Sequence, residues 1–183
     1  MKSCPGIIDV FKNSWVLPLW SDLRILVGAV GTDHYNIAFA DNRSVVEVHD
    51  DYQYVGLTDK TKHQHVKLAN PWLFISESPL KWAWLPPSWH TLDYETVEFL
   101  SAITEFKSQH SAHVNLFIRR LQNEKSLTLP FGLPLVYLVP LTELPVRVKH
   151  HLVSTDELRA LEAKSVCRLK FLNDFSLKKR VIN

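Results

Sequence analysis

The chain has 183 residues, enough for one domain with an added arm and for a substantial buried core. With 46% hydrophobic and 22% charged residues it holds enough apolar side chain to offset chain entropy, which excludes a disordered protein. A net charge of +2 excludes nucleic acid as the default partner, and five glycines against ten prolines leave no glycine-rich phosphate loop.

The opening MKSCPGIIDVF is broken early by Asp9, Lys12 and Asn13, so no signal-peptide core is expected. Residues 4 to 14 are expected to form a short helix, because Pro5 suits a first helical position and Ile7, Ile8 and Phe11 share a face. From Trp15 the texture becomes that of antiparallel strands joined by short turns: WVLPLW, LRILVGAV, YNIAFA and SVVEVH, separated by Ser21-Asp22, Gly31-Thr32-Asp33 and Asp41-Asn42-Arg43. Residues 50 to 65 are polar and predict a surface loop.

KLANPWLFIS and LKWAWLP predict two further strands, with Trp82 and Trp84 at period two on one buried face and Pro86-Pro87 stopping the ladder. Residues 97 to 106 and 113 to 120 alternate as strands around a turn at Ser108 to Ser111. In LTLPFGLPLVYLV, residues 127 to 139, the group Pro130-Phe131-Gly132 reads as a tight turn between two pairing segments. Ser154-Thr155-Asp156-Glu157 is a capping box that predicts a helix, its stripe begun by Leu158 and Leu161 and continued by Leu169, Leu172 and Phe175. No internal repeat is visible, and no window approaches the roughly 18 apolar residues of a membrane span. These elements predict a mainly β protein, an antiparallel β-sandwich with a short N-terminal helix, as a β-rich domain over 1–153 and a helical, basic extension over 154–183. The last twenty residues hold six basic side chains against one acid, a net of +5 that leaves the rest at −3. That tail could bind nucleic acid, but packing on the sheet with lysines in water is the preferred expectation.

Cys4 and Cys167 lie far apart and give neither a disulfide framework nor a zinc knuckle, which fits a reducing compartment. Cys4 is expected to pack at the helix start. Nine histidines include the pairs His63 and His65, His110 and His113, and His150 and His151. In a strand His63 and His65 would share a face, but no nearby acid or cysteine completes a ligand set, so no metal is expected. His110 and His113 flank a predicted turn and read as exposed polar residues. No nucleophile motif surrounds a serine or cysteine, and no cofactor is implied. Six tryptophans suggest core and subunit contact ahead of stacking on bases or sugars, with Trp82, Trp84 and Trp89 the candidate interface residues.

CPGIIDVFKNSWVLPLWSDLRI, KLANPWLFI and FGLPLVYLVPL, in that order, resemble a family of uncharacterised proteins found largely in tailed phages. In that family the closing strands are similar to those of trimeric deoxyuridine triphosphatases and deoxycytidine triphosphate deaminases. The resemblance implies a compact β-clip-like barrel, a tendency to trimerise, and a place in the host cytoplasm or the virion. It aligns AITEF and HVNLFIRR with the aspartate-bearing strand and GLPLVYLVPL with the closing one, so Glu105 stands where those enzymes place an aspartate and Tyr137 or its neighbours where they place a glutamine. Two functions follow as expectations. The first is a phage-encoded, non-enzymatic protein acting through oligomer or partner surfaces, as a virion component or a binder of a host factor. The second is a nucleotide-binding or nucleotide-hydrolysing protein with Glu105 as base and Arg119 or Arg120 reaching phosphate.

Overall fold

Alternation of apolar and polar side chains resolves into eleven strands in a computed structural model that describes residues 4–32, 35–41, 44–48, 62–87, 90, 96–107, 113–161 and 163. In chain order these are α1 (Pro5–Lys12), β1 (Trp15–Pro18), β2 (Leu23–Val27), β3 (Tyr35–Phe39), β4 (Val45–Val48), β5 (His63–Ala69), β6 (Lys81–Leu85), β7 (Val97–Phe99), β8 (Ala102–Glu105), β9 (Val114–Arg119), β10 (Lys125–Leu129) and β11 (Pro134–Pro140). A helix over residues 155–161, α2, follows. The fold is mainly antiparallel β, as expected, in three sheets ordered β1-β11-β6-β8, β10-β2-β3 and β4-β5-β9-β7. No sheet closes into a barrel among the described residues. Two compact units result: Met1–Pro71 with Ala83–Ala102 and His113–Val139, and Trp72–Trp82 with Ile103–Ala112 and Pro140–Asn183.

The first unit turns on a double corner. The segment at Pro130-Phe131-Gly132 is a tight turn as predicted: the Leu133 amide donates to the Pro130 carbonyl at 3.2 Å, and Gly132 takes φ +80°, open to glycine and strained for other residues. The strands on either side do not pair with each other, however. β10 pairs with β2 and β11 with β1, in separate sheets. A second corner explains this, because the Leu19 amide donates to the Leu133 carbonyl at 2.7 Å and the Gly132 amide to the Leu19 carbonyl at 2.8 Å. Two chain passages therefore change sheet side by side, and each strand finds its partner in the neighbouring passage. Asp22 adds a bond from a third position, its carboxylate accepting the Phe131 amide at 2.7 Å.

Leu19, Leu23, Ile25 and Leu135 are fully buried at this corner and along the strands it feeds, as are Leu116 and Ile118 of β9 in the third sheet. Phe11 of α1 meets the ring of Tyr137 edge-on at 5.5 Å, so the apolar face of that helix finds a partner on β11. The hairpin of β2 and β3 forms in register from Leu23↔Phe39 to Val27↔Tyr35. Three local expectations change. The stretch 97–106 splits at Leu100-Ser101, with β7 and β8 in different sheets. His63–His65, read as the end of a loop, begins β5: His63 and His65 lie on its polar face, and Gln64 falls in phase with Val66 and Leu68 opposite Ile118. Cys4 is exposed at the start of α1 instead of packed.

The second unit has a smaller aromatic centre. Trp82 and Phe106 are buried, and Phe74 stacks on Phe106 with centroids 4.8 Å apart. The Ser76 amide donates to the Phe106 carbonyl and the Leu141 amide to the Lys81 carbonyl, so extended segments are tied to this cluster by backbone bonds. The continuation of α2 and the basic tail from residue 164 lie outside the described residues.

Two of the glycines with room around them, Gly132 and Gly6, give opposite expectations. Gly132→Ala should cost about 1 kcal/mol because φ is positive there, whereas Gly6→Ala, inside α1 with no atom within 4 Å of the added methyl, should stabilise by about 0.5 kcal/mol. Denaturant titration of both variants checks this, and a neutral Gly132→Ala would contradict the turn geometry.

Candidate functional site

One face of the β4-β5-β9-β7 sheet belongs to the core and the other carries chemistry. Register fixes the division: Val46, Val48, Val66, Leu68, Val114, Leu116, Ile118, Val97 and Phe99 fall on one face. The opposite face holds Glu47, His63, His65, Lys67, Asn115, Phe117, Arg119 and Glu98. His63 and His65 share this face, as expected for two residues at period two, and their rings lie 6.0 and 5.2 Å from that of Phe117. Lys67 pairs with Glu47, and Arg119 pairs with Glu98 at 3.5 Å.

His65 Nε2 lies 3.2 Å from Asn115 Oδ1. An amide oxygen only accepts, so the contact keeps the proton on Nε2 and leaves Nδ1 as the basic nitrogen of the neutral ring. Asn115 stands directly opposite Lys67 and diagonal to His65, within reach of a long side chain. Beside this pair the first unit holds a cleft of about 320 Å³, with Trp84, Ser101, His113, His65 and Asn115 among its walls. The Nδ1 atoms of His65 and His113 are both buried from solvent. His113 thus lines a cleft instead of standing exposed beside a turn, and its partner His110 lies outside the described residues. Sequence reasoning singled out neither Asn115 nor Ser101, since the β5–β9 register brings Asn115 to His65 and the chain between β7 and β8 brings Ser101 to the cleft.

The residues expected to act on a nucleotide fall at the ends of different strands, β8 and β9. Arg119 is half exposed and paired with Glu98, while the adjacent Arg120 is buried and its amide donates to the Lys62 carbonyl at 2.7 Å. Glu105 is half-buried at the end of β8, in the second unit. Tyr137 is buried, with His90 Nε2 2.6 Å from its hydroxyl. Of the candidate interface tryptophans, Trp82 is part of the second unit's aromatic cluster and Trp84 is a buried wall of the cleft. Trp89 lies outside the described residues. Among the described residues no three histidines, cysteines or acids are grouped to hold a metal ion, and no helix is long and apolar enough to cross a membrane.

The second unit presents a different kind of surface. Eight of the fourteen exposed large apolar side chains fall there, although it supplies under a third of the described residues. Five of the eight, Leu141, Leu144, Val148, Leu152 and Val153, come from one connecting segment, in which Leu144 is 76% exposed and Leu152 wholly so. Residues 145–154 run without turn, bend, helix or strand pairing until the capping box of α2, where Ser154 N donates to Glu157 Oε2 at 2.8 Å and Glu157 N to Ser154 Oγ at 3.3 Å. His150 and His151 are exposed within this arm.

Comparison with protein-family models, with curated proteins and with solved structures finds no match to the chain.

The capping box supplies a pH dependence with a definite sign. Hydrogen bonds from the Ser154 amide and hydroxyl hold the Glu157 carboxyl below its ordinary value of 4.5. A depressed folded-state value stabilises the helix start above the unfolded value and loses that contribution as pH falls through the folded one. Protection of the Ser154 amide from hydrogen exchange is therefore expected to hold at neutral pH and to fade below 4.5. In Glu157→Gln the fading should disappear.

Proposed function

We propose that this protein works through its surfaces, as a self-associating binding or structural protein, and that the second unit carries the contact. The concentration of exposed apolar side chains in that unit supports the reading. A soluble monomer scatters such residues, and a contiguous run of them marks a surface that another surface covers. A second copy is the simplest cover, since homo-oligomers are the common assembly and each copy presents the same apolar segment. The likeness of three sequence blocks to tailed-phage proteins supports a setting in a phage-infected cell, with a virion component or a binder of a host factor as the role. A trimer is the stoichiometry that likeness favours.

The cleft supports a second reading. At about 320 Å³ it lies near the lower end of ligand sites, which run from roughly 300 to 1,000 Å³. Its described walls combine the indole of Trp84 with histidine, serine and asparagine, a set suited to a planar nitrogen heterocycle. Its described walls include no lysine or arginine, a set that suits a base or nucleoside better than a triphosphate. That composition weighs against the hydrolase expectation built on Glu105, Arg119 and Arg120.

Two experiments address these readings. Leu144→Ser with Leu152→Ser should lower the mass measured by light scattering at matched concentration while secondary structure by circular dichroism stays that of the wild type, because both side chains are exposed. A wild-type chain that remains monomeric at millimolar concentration would sink the first reading. For the second, thermal stability against a panel of nucleobases, nucleosides and nucleoside triphosphates should rise with the smaller ligands and lose that rise in Asn115→Leu. A rise confined to triphosphates would reverse the preference.

A further inference from the structure

We infer that residues 145–153 are a donor strand that pairs with the open edge of β4 in a second copy of the chain. The inference rests on the self-association proposed above and names its chemistry. The segment reads Pro145-Val-Arg-Val-Lys-His-His-Leu-Val; His150 and Leu152 prolong the phase of Val146 and Val148, His151 and Val153 that of Arg147 and Lys149, and the alternation is strict over 146–149. That period-two pattern is the signature of a strand with one apolar face. The backbone has no turn or bend to consume its hydrogen-bonding groups and no ladder partner among the described residues. Extended backbone of this kind gains most by joining a sheet edge, where main-chain bonds supply affinity and alternate side chains supply specificity.

The ends of the three sheets are not equally suited to receive it. β1 carries Pro18, β10 begins with Lys125, and β7 is three residues long. Proline, lysine and shortness are the devices that discourage edge pairing. β8 has only Ala102 and Thr104 on the face opposite Glu105, which gives the arm's valines no apolar phase to join, and β3 offers no acid to its basic phase. β4, with sequence Val45-Val46-Glu47-Val48, ends its sheet among the described residues with neither proline nor lysine, and Val45 and Val48 are exposed. Its register puts Val46 and Val48 on the core face opposite Leu68 and Val66, and Glu47 on the polar face opposite Lys67. An added strand in phase would set Val146 and Val148 beside the valines and Arg147 and Lys149 beside Glu47. Charge supports a copy of the same chain as the acceptor, since residues 145–153 carry Arg147 and Lys149 and no acid, while β4 presents Glu47 and residues 1–140 sum to −2.

Amide hydrogen exchange of the wild-type chain, followed from dilute to concentrated solution, is expected to slow together at residues 145–153 and 45–48. Glu47→Lys should weaken association about tenfold, and adding Arg147→Glu with Lys149→Glu should restore most of it. Should the chain associate while exchange at 145–153 stays unchanged, or while the reversed charges fail to restore association, the strand addition is wrong and self-association uses another surface. Should the wild-type chain stay monomeric at every concentration, strand addition and self-association fall together.

Discussion

The double corner at Leu19 and Leu133 is the constraint on which the first unit depends. The assignments of four strands follow from it, because β1 and β11 enter one sheet only if β2 and β10 enter another. Two backbone bonds between Leu19 and residues 132–133 and the Asp22 carboxylate on the Phe131 amide hold the passages together. Each bond contributes about 1 kcal/mol, yet breaking them leaves backbone groups unpaired beside a core that includes Leu19 at zero exposure. The corner thus matters through what it positions: long-range partners separated by more than a hundred residues.

Much of this fold is legible in the sequence, and the reason is that strand existence is a local property. Trp82 and Trp84 alternate with Lys81 and Ala83 and are buried as that alternation demands. The capping box at Ser154 to Glu157 is equally local, and both of its reciprocal bonds form. Partner choice is another matter. Nothing between residues 127 and 139 says that the two strands there part company, since the reason sits at Leu19. His63 to His65 looked like loop because a strand with one polar face shares its composition, and only burial of Val66 and Leu68 on the other phase decides between them.

The same distinction governs the candidate sites. Histidine spacing placed His63 and His65 on one face, but the cleft needs Asn115, Ser101 and His113, which reach it through the β5–β9 register and the turn out of β7. Arg119 and Arg120 are neighbours in sequence with opposite fates, one half exposed beside Glu98 and one buried. Successive residues of a strand point to opposite faces, so a pair of adjacent arginines is a poor clamp for one phosphate. The apolar arm was hidden for a different reason: five exposed apolar residues in a stretch of thirteen resemble core until the chain around them is known to leave them uncovered.

Covering that arm couples assembly to stability, which makes the whole reading open to one simple measurement. The unfolding midpoint of the wild-type chain, recorded by calorimetry over a hundredfold range of protein concentration, is expected to rise with concentration as association selects the folded state. A midpoint that does not move, in a chain that unfolds reversibly, would mean that no copy covers another and that the protein does its work as a monomer.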